Sequence, residues 1–406
     1  MGWIEANCHQ EIHRTGQAGH ILLADARGGD FAPWEGQAQC VYLDPPFMTG
    51  EDFSFRMRVG KEGWETGKES ITLPAYSDRF ASKGDYLALL RDALENAKML
   101  LNDTGSLFLH LDSRMSAHAR ILCDEIFGES NFVNEIIWAY QTGGRSMKRF
   151  SRKHDVILFY RKSRHHFFDI TAVPLPRSEN RSNHMRRCVD ENGRAYRTIR
   201  SGGKTYTYYD DEPVYPGDVW ADVSHLQQKD PQRTGYDTQK PQALLNRIIL
   251  SSTRPGDLVA DLFGGSGTTA LAAAANGRRF LTSDKSIQSL SVTRKRLLET
   301  DFTLVAPSNT GAAFMQAEFI PGIAYHDIYL SQYVSPSGDI TGLDAVDQWS
   351  VGFYHEGVFH AQASAARRKH TPDLPPMLQL PQLSGTPAIL IVDIYGNRML
   401  FRHTEE

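Results

Sequence analysis

The stretch "DLVADLFGGSGTTALAAAANG", residues 257–277, decides the fold of this chain. Its apolar beginning is typical of a buried strand, its glycines of a tight turn, and its alanine-rich end of a helix. Glycines in such a turn let the backbone approach a ligand closely, and the first turn of the helix offers unpaired N–H groups to a carboxylate or a phosphate. The stretch therefore predicts a ligand site at the carboxyl end of one strand of an α/β sheet.

Two further features bear on the nature of that ligand. The following strand, "RFLTSD", ends on Asp284, where a carboxylate could accept hydrogen bonds from both hydroxyl groups of an adenosine ribose. Gly265 and Gly267, together with Ala270, also fit the dinucleotide fingerprint. A nicotinamide enzyme is therefore one alternative, and a glycine-rich turn that binds nothing is another.

The first 160 residues alternate between strand-like and helix-like runs, which is typical of an α/β sheet with helices on its faces. Strands are indicated by "GHILLADA" and "QCVYLDPP", and a helix by residues 82–101. "NDTG" then predicts a turn before the strand "SLFLHLD". "NEIIWAY" and "HDVILFYRKS" predict two more strands around a polar loop at residues 141–153. We therefore expect a Rossmann-like α/β sheet.

The pattern changes twice farther along the chain. Residues 164–237 lack long periodic runs, except for a hairpin predicted in "AYRTIRSGGKTYTYY" with its turn at Gly202 and Gly203. The α/β pattern then returns with a helix predicted in "KPQALLNRIILSST". After about residue 305, short apolar stretches separated by Pro and Gly predict a small β-rich domain.

Composition excludes several classes of protein. The 406 residues are 41% hydrophobic and 23% charged, which is typical of a globular protein. No apolar run approaches the roughly 20 residues that span a bilayer, and the N-terminus lacks the apolar core of a signal peptide, so we expect a cytoplasmic protein. The four cysteines lie far apart without a CxxC pair, so neither a zinc site nor a disulfide framework is indicated.

Basic residues are concentrated in one segment. Residues 139–209 hold 16 basic and 5 acidic residues, a surplus of 11, although the whole chain carries a net charge of −4. A solvated surface is one explanation, but the tyrosines interleaved with this charge favour a polyanionic partner such as DNA. The polar loop supplies the candidate DNA-binding residues, which are Arg145, Lys148, Arg149, Arg152 and Lys153.

A second motif, "VYLDPPFMTG" at residues 41–50, ends a predicted strand on Asp44. Pro45 and Pro46 would stiffen the turn and leave a backbone carbonyl unpaired, and Phe47 adds an aromatic ring. Two hydrogen-bond acceptors beside a stacking surface suit the amino group of a nucleobase, because holding both hydrogens frees the nitrogen lone pair for attack. The alternative is a plain Asp-Pro-Pro turn that ends a core strand.

These motifs resemble those of the amino-group DNA methyltransferases, which use S-adenosylmethionine. "DPPF" at 44–47 comes first, then "TQKP" at 238–241, then "DLFGGSGTT" at 261–269, a circularly permuted order that resembles the β class. The resemblance covers about residues 20–301. It implies a catalytic half of the methyltransferase domain at 20–163, a target-recognition insertion at 164–237, a cofactor-binding half at 238–301 and a small β-rich domain of unknown role at 305–406.

The resemblance also implies a role for each matching residue. In the catalytic motif, Asp44 would hold the target amino group, while Pro45, followed by Pro46, would contribute its carbonyl. Phe47 would stack on a base flipped out of the helix. The cofactor would contact Lys240, Asp261, Phe263, Gly265, Gly267, Thr268 and the ribose-binding Asp284. Asp25, at the end of "ILLAD", is a candidate near the cofactor adenine, with a capping or surface role as the alternative.

Some positions depart from the resemblance. Relatives often have tyrosine at Phe47, asparagine at Met48 and proline at Asp237. Phenylalanine keeps the stacking surface but loses a hydroxyl group, and Asp237 could loosen the segment over the cofactor. These changes leave the expected chemistry in place.

The sequence therefore favours a site-specific DNA methyltransferase that acts on adenine N6 by direct transfer, because Asp rather than Ser precedes the two prolines. Cytosine N4 is the alternative, and a catalytically silent DNA-binding module is another. A cytosine-C5 enzyme is not indicated, because it needs a nucleophilic thiol, usually after proline, and no cysteine here follows a proline. Double-stranded DNA is the expected partner. A restriction partner and a homodimer remain open.

Overall fold

The computed structural model describes residues 2–140, 146–176, 187–228, 230–309, 311 and 313–404. These residues form six α-helices, and none of the helices is long and apolar enough to cross a membrane. The helices are α1 (Gly60–Thr66), α2 (Lys83–Leu100), α3 (Ser116–Phe127), α4 (Gln242–Ser252), α5 (Thr268–Ala275) and α6 (Ile287–Leu297).

The same residues form 23 strands. The strands of the first half are β1 (Gly2–Ala6), β2 (Gln10–His13), β3 (Gly19–Leu23), β4 (Ala38–Leu43), β5 (Asp52–Arg58), β6 (Ser70–Ser77), β7 (Leu101–Leu111), β8 (Phe132–Ala139), β9 (His154–Arg161), β10 (Arg187–Val189), β11 (Ala195–Ser201) and β12 (Lys204–Tyr209). The others are β13 (Val219–Trp220), β14 (Leu258–Asp261), β15 (Arg279–Asp284), β16 (Phe302–Val305), β17 (Phe314–Ile320), β18 (Tyr325–Val334), β19 (Val346–His355), β20 (Val358–Ala366), β21 (Met377–Pro381), β22 (Thr386–Asp393) and β23 (Arg398–Thr404).

Six neighbouring strands form a parallel region inside a 15-stranded sheet, in the order β16, β3, β15, β14, β4 and β7. Parallel strands are covered on both faces and are therefore apolar throughout, and every residue of Ala38–Leu43 is buried. The carboxyl ends of all six strands lie at one edge, where open α/β sheets bind ligands. The α/β fold predicted from the sequence is confirmed.

Helices cover both faces of this region. The buried face of α2 carries Tyr86, Leu89, Leu90, Ala93, Leu94 and Ala97, at the helical spacing seen in the sequence, and packs with α3 on one face of the sheet. Helices α4, α5 and α6 cover the other face. Residues from both ends of the chain therefore share each core.

Chain order and spatial order differ at the centre of the sheet. Strands β3 and β4 follow one another in sequence, yet β15 and β14 lie between them. A parallel neighbour requires a crossover connection, and here the long segment after β4 supplies it. The two motifs found in the sequence are consequently brought to adjacent strand ends.

The edge beyond β7 is antiparallel. Strand β9 pairs with β7 and with β8, so the loop between β8 and β9 projects from the edge that holds the catalytic motif. Tyr140 N donates to Lys153 O at 2.9 Å and closes the base of this loop. The hairpin predicted at residues 195–209 is confirmed, with Ser201 opposite Lys204 and positive φ at both glycines of its turn.

The turn predicted at "NDTG" is wrong, because strand β7 runs through it. The register between β4 and β7 jumps from Ala38–Leu101 to Cys40–Ser106, so the extra residues form an irregularity within the strand. Thr104 Oγ1 donates to the side-chain oxygen of Gln39 at 2.8 Å, and the Gln39 amide donates to Thr104 O, also at 2.8 Å. These bonds satisfy polar groups that a turn would have exposed to water.

The C-terminal strands continue the large sheet. β20 pairs with β2, and the order from there is β19, β22, β23 and β1. The first strand of the chain is therefore the edge strand next to the last one, and β2 lies between β20 and β16. A separate core around Trp349 lies beneath these strands. The segment boundaries proposed from the sequence, including the one near residue 305, stay a prediction.

A buried ionic cluster joins the C-terminal strands to the rest of the sheet. Glu11 and Arg294 have no exposed side-chain surface, and the Arg294 Nη2–Glu11 Oε1 distance is 2.7 Å. Arg398 Nη2 donates to Glu11 Oε2 at 3.1 Å, and His13 Nε2 lies 2.6 Å from Glu11 Oε1. Burial alone would raise the pKa of Glu11, but Arg294, His13 and Arg398 hold that pKa well below its usual range.

We predict that Arg294→Met destabilises the protein strongly, because it leaves a buried carboxylate short of its main partner. The expected loss in free energy of unfolding is about 3–5 kcal/mol, measured by urea denaturation. Arg91→Met is the control, because Arg91 pairs with Glu125 at the surface and such pairs contribute about 1 kcal/mol or less. Equal losses in the two variants would show that the cluster does not join the two parts of the sheet.

Candidate active site

Four aspartates occupy the carboxyl ends of four adjacent strands. In spatial order they are Asp25 after β3, Asp284 at the end of β15, Asp261 at the end of β14 and Asp44 after β4. All four line one cavity of about 290 Å³. A cavity of that size is close to the lower limit for small-molecule sites. Basic side chains, among them Lys240 and Lys285, line it together with the aspartates.

The glycine turn between β14 and α5 adopts the conformation that the sequence predicts. Gly265 and Gly267 have φ values of 51° and 73°, in the left-handed region that favours glycine, and α5 begins at Thr268. Gly265 and Thr268 line the cavity, whereas Gly267 lies against α6. A Cβ atom on Gly267 would lie 2.5 Å from Thr293 Oγ1, so the turn is packed tightly from behind.

Two of the four carboxylates, those of Asp284 and Asp261, accept hydrogen bonds from the glycine turn and the residues next to it. Asp284 Oδ2 accepts from Gly265 N and Oδ1 from Ser286 N, both at 2.9 Å. Asp261 accepts from Phe263 N at 2.9 Å and from Thr269 Oγ1 at 2.5 Å. Burial raises the pKa of Asp284, and it raises the pKa of Asp261 to about 7, so Asp261 changes charge near neutral pH.

The sequence did not reveal the aromatic side chains that line the cavity beside the glycine turn. Tyr76 and Tyr236 line the cavity with stacked rings whose centroids are 6.5 Å apart, and Phe53 stacks on the far side of Tyr76 at 4.9 Å. Tyr236 stands two residues before "TQKP", so an aromatic residue beside that motif was the available signal. Tyr76 belongs to the hairpin β5–β6, which no pattern in the sequence indicated.

Arg296 is a further side chain at the glycine turn that the sequence did not reveal. Its Nη1 atom donates to Ser266 O at 2.7 Å and to Thr268 Oγ1 at 2.9 Å, on the glycine turn. Burial lowers the pKa of Arg296 to about 10, which still leaves the side chain charged at neutral pH. Its charge therefore lies among the backbone groups that shape the turn.

The carboxylate of Asp44 is only half satisfied. Its Oδ2 atom forms an ion pair with Lys240 Nζ, whereas its Oδ1 atom is buried and accepts no hydrogen bond from the described residues. Lys240 Nζ also lies 5.1 Å from the centroid of the Phe47 ring. Lys240 was expected to cover the cofactor, and it lines the cavity, but its contacts with Asp44 and Phe47 connect it to the catalytic motif as well.

A chain of hydrogen-bonded polar side chains, of which Tyr42 and His110 are buried, lies next to Phe47. The ring of His110 is 6.0 Å from that of Phe47, and His110 Nδ1 lies 2.7 Å from the hydroxyl of Tyr42. His110 Nε2 lies 3.2 Å from Asp155, which also accepts from the Tyr140 hydroxyl at 3.0 Å. Burial would raise the pKa of Asp155, but His110 and these hydrogen bonds lower it. No local motif marks this set, because its members come from four strands or their ends.

The remaining predicted residues are placed as follows. Asp25 lines the cavity, yet its carboxylate accepts from the backbone and the guanidinium of Arg27, so it also caps a local turn. Pro46 and Phe263 line the cavity, whereas Pro45 and Phe47 do not. Lys148, Arg149 and Arg152 are exposed, Lys153 is half-buried, and Arg145 lies outside the described residues.

Comparison with known proteins identifies the family. Residues 38–295 match the N6/N4 DNA methylase family. The chain is 25% identical over 311 residues to the type II methyltransferase M.EcaI of Enterobacter cloacae, a match that covers 64% of each protein. It is 24% identical over 259 residues to the DNA adenine methyltransferase YhdJ of Escherichia coli, covering 63% of this chain and 75% of YhdJ. The crystal structure of an M1.HpyAVI–S-adenosylmethionine complex aligns with 69% of this chain and 98% of its own, at 18% identity and a TM-score of 0.42.

The chain therefore belongs to the N6/N4 DNA methylase family, and the resemblance found in the sequence is confirmed. It is a DNA methyltransferase, and the similar M1.HpyAVI structure is a complex with S-adenosylmethionine. The match with M.EcaI leaves about a third of that relative's length uncovered.

We predict that Gly267→Ala weakens binding of S-adenosylmethionine by about tenfold, because the added methyl group forces the turn away from Thr293. Gly277→Ala is the matched control, since Gly277 has a φ of 71° but open space around its would-be Cβ. Both variants carry the same backbone strain, so isothermal titration calorimetry isolates the effect of the contact. Similar affinities in the two variants would contradict the prediction.

Proposed function

We propose that the chain is a site-specific DNA methyltransferase that transfers a methyl group from S-adenosylmethionine to adenine N6. One observation carries this proposal: Asp44 has one oxygen paired with Lys240 and one buried oxygen that accepts nothing from the described residues. A buried acceptor without a donor is costly, so a site that retains one is suited to a ligand that supplies the donor. An exocyclic amino group is such a donor.

The chemistry follows from that acceptor. Asp44 Oδ1 accepts one amino hydrogen and the Pro45 carbonyl accepts the other, which frees the nitrogen lone pair. Phe47 stacks on the flipped base, and Lys240 pairs with the other carboxylate oxygen of Asp44. S-adenosylmethionine would supply the methyl group to the amino nitrogen, and Asp44 Oδ1 would accept the proton that the nitrogen releases. No covalent intermediate with the enzyme is needed.

The residues of the cavity fit the cofactor. Bound S-adenosylmethionine supplies an electrophilic methyl group on a positively charged sulfur. The N-terminus of α5 suits the methionine carboxylate, and Asp284 suits the ribose hydroxyl groups. Tyr76 and Tyr236 provide aromatic faces for the adenine or for the sulfonium cation. We assign the other predicted cofactor residues, Lys240, Asp261 and Phe263, to the same cofactor site.

The choice of adenine rests on two observations. Asp precedes the two prolines, which favours adenine within the family, and the relative YhdJ is named a DNA adenine methyltransferase. Cytosine N4 presents an amino group of the same kind, so N4-methylcytosine as the product would change the choice of base. The order of the motifs along the chain supports assignment to the permuted β class.

The DNA-binding surface is assigned to the catalytic edge of the sheet. The loop between β8 and β9 projects there and exposes Lys148 and Arg149, with Met147 and Phe150 almost fully exposed beside them. Tyr206 and Tyr208 of the β11–β12 hairpin are also exposed, on the predicted recognition insertion. We propose double-stranded DNA as the partner and a modification role beside a restriction enzyme in the cytoplasm.

We predict that Asp44→Asn abolishes methyl transfer while cofactor affinity stays within about twofold of wild type. The matched control is Asp112→Asn, because Asp112 follows β7 at the same edge but pairs with Arg114 outside the cavity. Both variants are assayed by transfer of tritiated methyl groups to DNA, followed by nucleoside digestion and mass spectrometry.

Near-normal activity in Asp44→Asn would remove Asp44 from the catalytic role. Product found only as N4-methylcytosine would keep the site and change the base. Binding of the cofactor without any methyl transfer by the wild-type chain, on DNA of varied sequence, would leave a silent DNA-binding module as the better description.

We predict that Lys148→Gln, Arg149→Gln and Arg152→Gln together flatten the salt dependence of DNA binding. Each lost phosphate contact lowers the slope of log affinity against log salt by roughly 0.9. Lys68→Gln with Lys369→Gln serves as a control on exposed lysines outside this surface. An unchanged slope in the triple variant would exclude the loop from contact with the DNA backbone.

A further inference from the structure

The turn that follows Asp44 is held by a single carboxylate, that of Asp78. Asp78 Oδ1 accepts from Met48 N at 2.8 Å, and Oδ2 accepts from Phe47 N at 3.2 Å and from Thr49 N at 2.9 Å. The hydroxyl of Thr49 donates the fourth hydrogen bond to this carboxylate, also to Oδ2, at 2.7 Å. Asp78 is 1% exposed, so water does not compete for these bonds.

The backbone of this turn is strained without such a partner. Met48 has a φ of 56°, in the left-handed region that is unfavourable for a residue with a side chain. Three successive N–H groups that converge around such a residue form a concave anion site, and a buried carboxylate within it makes charge-assisted hydrogen bonds. Asp78 is therefore the group that makes this conformation stable.

Asp78 is itself fixed by the β5–β6 hairpin. Its N–H donates to Glu51 O at 2.9 Å, and its carbonyl accepts from Gly50 N at 3.2 Å, so it closes the open end of the hairpin. Tyr76, two residues earlier, lines the cofactor cavity. At the other end, Trp64 of α1 lies 4.3 Å from Nζ of Lys295 on α6. The hairpin therefore connects helix α6, through Trp64, to the turn at residues 47–49, through Asp78.

We propose that Asp78 is a positioning residue for methyl transfer: its carboxylate holds the turn at residues 47–49 in the conformation that orients Phe47 and Asp44 for the flipped base. This inference rests on the proposed function, because it assumes that those two residues receive the base. Asp78 does not line the cavity and touches no reacting atom. Its effect on the reaction passes entirely through the backbone of the turn.

The identity of residue 48 provides an independent test. Asparagine adopts the left-handed conformation more readily than methionine does, because its side chain can bond to the local backbone. Met48→Asn should therefore restore part of the order that the turn loses when Asp78 is changed. If Asp78 supported only overall stability, Met48→Asn would not reverse the loss of activity caused by changing Asp78.

The experiment compares Asp78→Asn, Met48→Asn and the double variant in the full-length chain. We expect Asp78→Asn to lower kcat by about 10- to 100-fold, because small displacements of a reacting geometry have effects of that size. The KM and the calorimetric Kd for S-adenosylmethionine should stay within about twofold. Met48→Asn should raise kcat about fivefold in the Asp78→Asn background and change it little in the wild-type background.

Amide hydrogen exchange at residues 47–49 gives a readout that does not depend on activity. Exchange should speed up in Asp78→Asn and slow again in the double variant. Asp52→Asn is the control, because Asp52 lies on the same hairpin but pairs with Arg79 at the surface.

Three results would overturn the proposal: unchanged kcat in Asp78→Asn, unchanged exchange in the turn, or a loss that Met48→Asn leaves as it was. A parallel loss of cofactor binding and stability would instead show a purely structural role for Asp78. If the wild-type chain transferred no methyl group at all, the proposed function would fail first. Amide exchange would then still decide whether Asp78 holds the turn.

Discussion

Parallel pairing of β4 with β14 and of β3 with β15 is the interaction on which the site depends. Each pairing joins a strand from the first 45 residues to one from beyond residue 257, and hydrogen bonding fixes the register, so that the four strand ends share one edge. Two aspartates from each part of the chain then meet in one cavity. Neither part could form that cavity alone, because the two strands of the second part lie between the two strands of the first.

The carboxylates of Asp261 and Asp284 lie in a cavity that basic side chains also line, so their effect on a bound cation depends on burial rather than on net charge. Burial raises the pKa values of Asp261 and Asp284, because each ionised carboxylate carries a desolvation cost in the cavity. A sulfonium cation offsets that cost, whereas the uncharged thioether left after transfer does not. We therefore expect the same side chains that attract the cofactor to let the product exchange for it.

The sequence predicted the features of this site that are local and missed those that are not. The glycine turn, the strand that ends on Asp44 and the hairpin at Gly202 and Gly203 each depend on neighbouring residues, so a short window contains the signal. His110, Asp155 and Asp78 act through partners far along the chain, and no spacing rule connects them. The failure at "NDTG" has the same origin, because the distant Gln39 satisfies polar groups that locally predict a turn.

Helix α6 carries three consecutive basic residues that point to different parts of the protein. Arg294 binds Glu11, Lys295 pairs with Asp347 at 2.6 Å, and Arg296 holds the glycine turn. The family match ends within this helix, at residue 295, so the flanking strands are attached to the last element of the shared catalytic region. We therefore expect relatives that have the flanking strands to keep Arg294 and Glu11 together. Relatives without those strands lack Glu11 with β2 and are free to change Arg294.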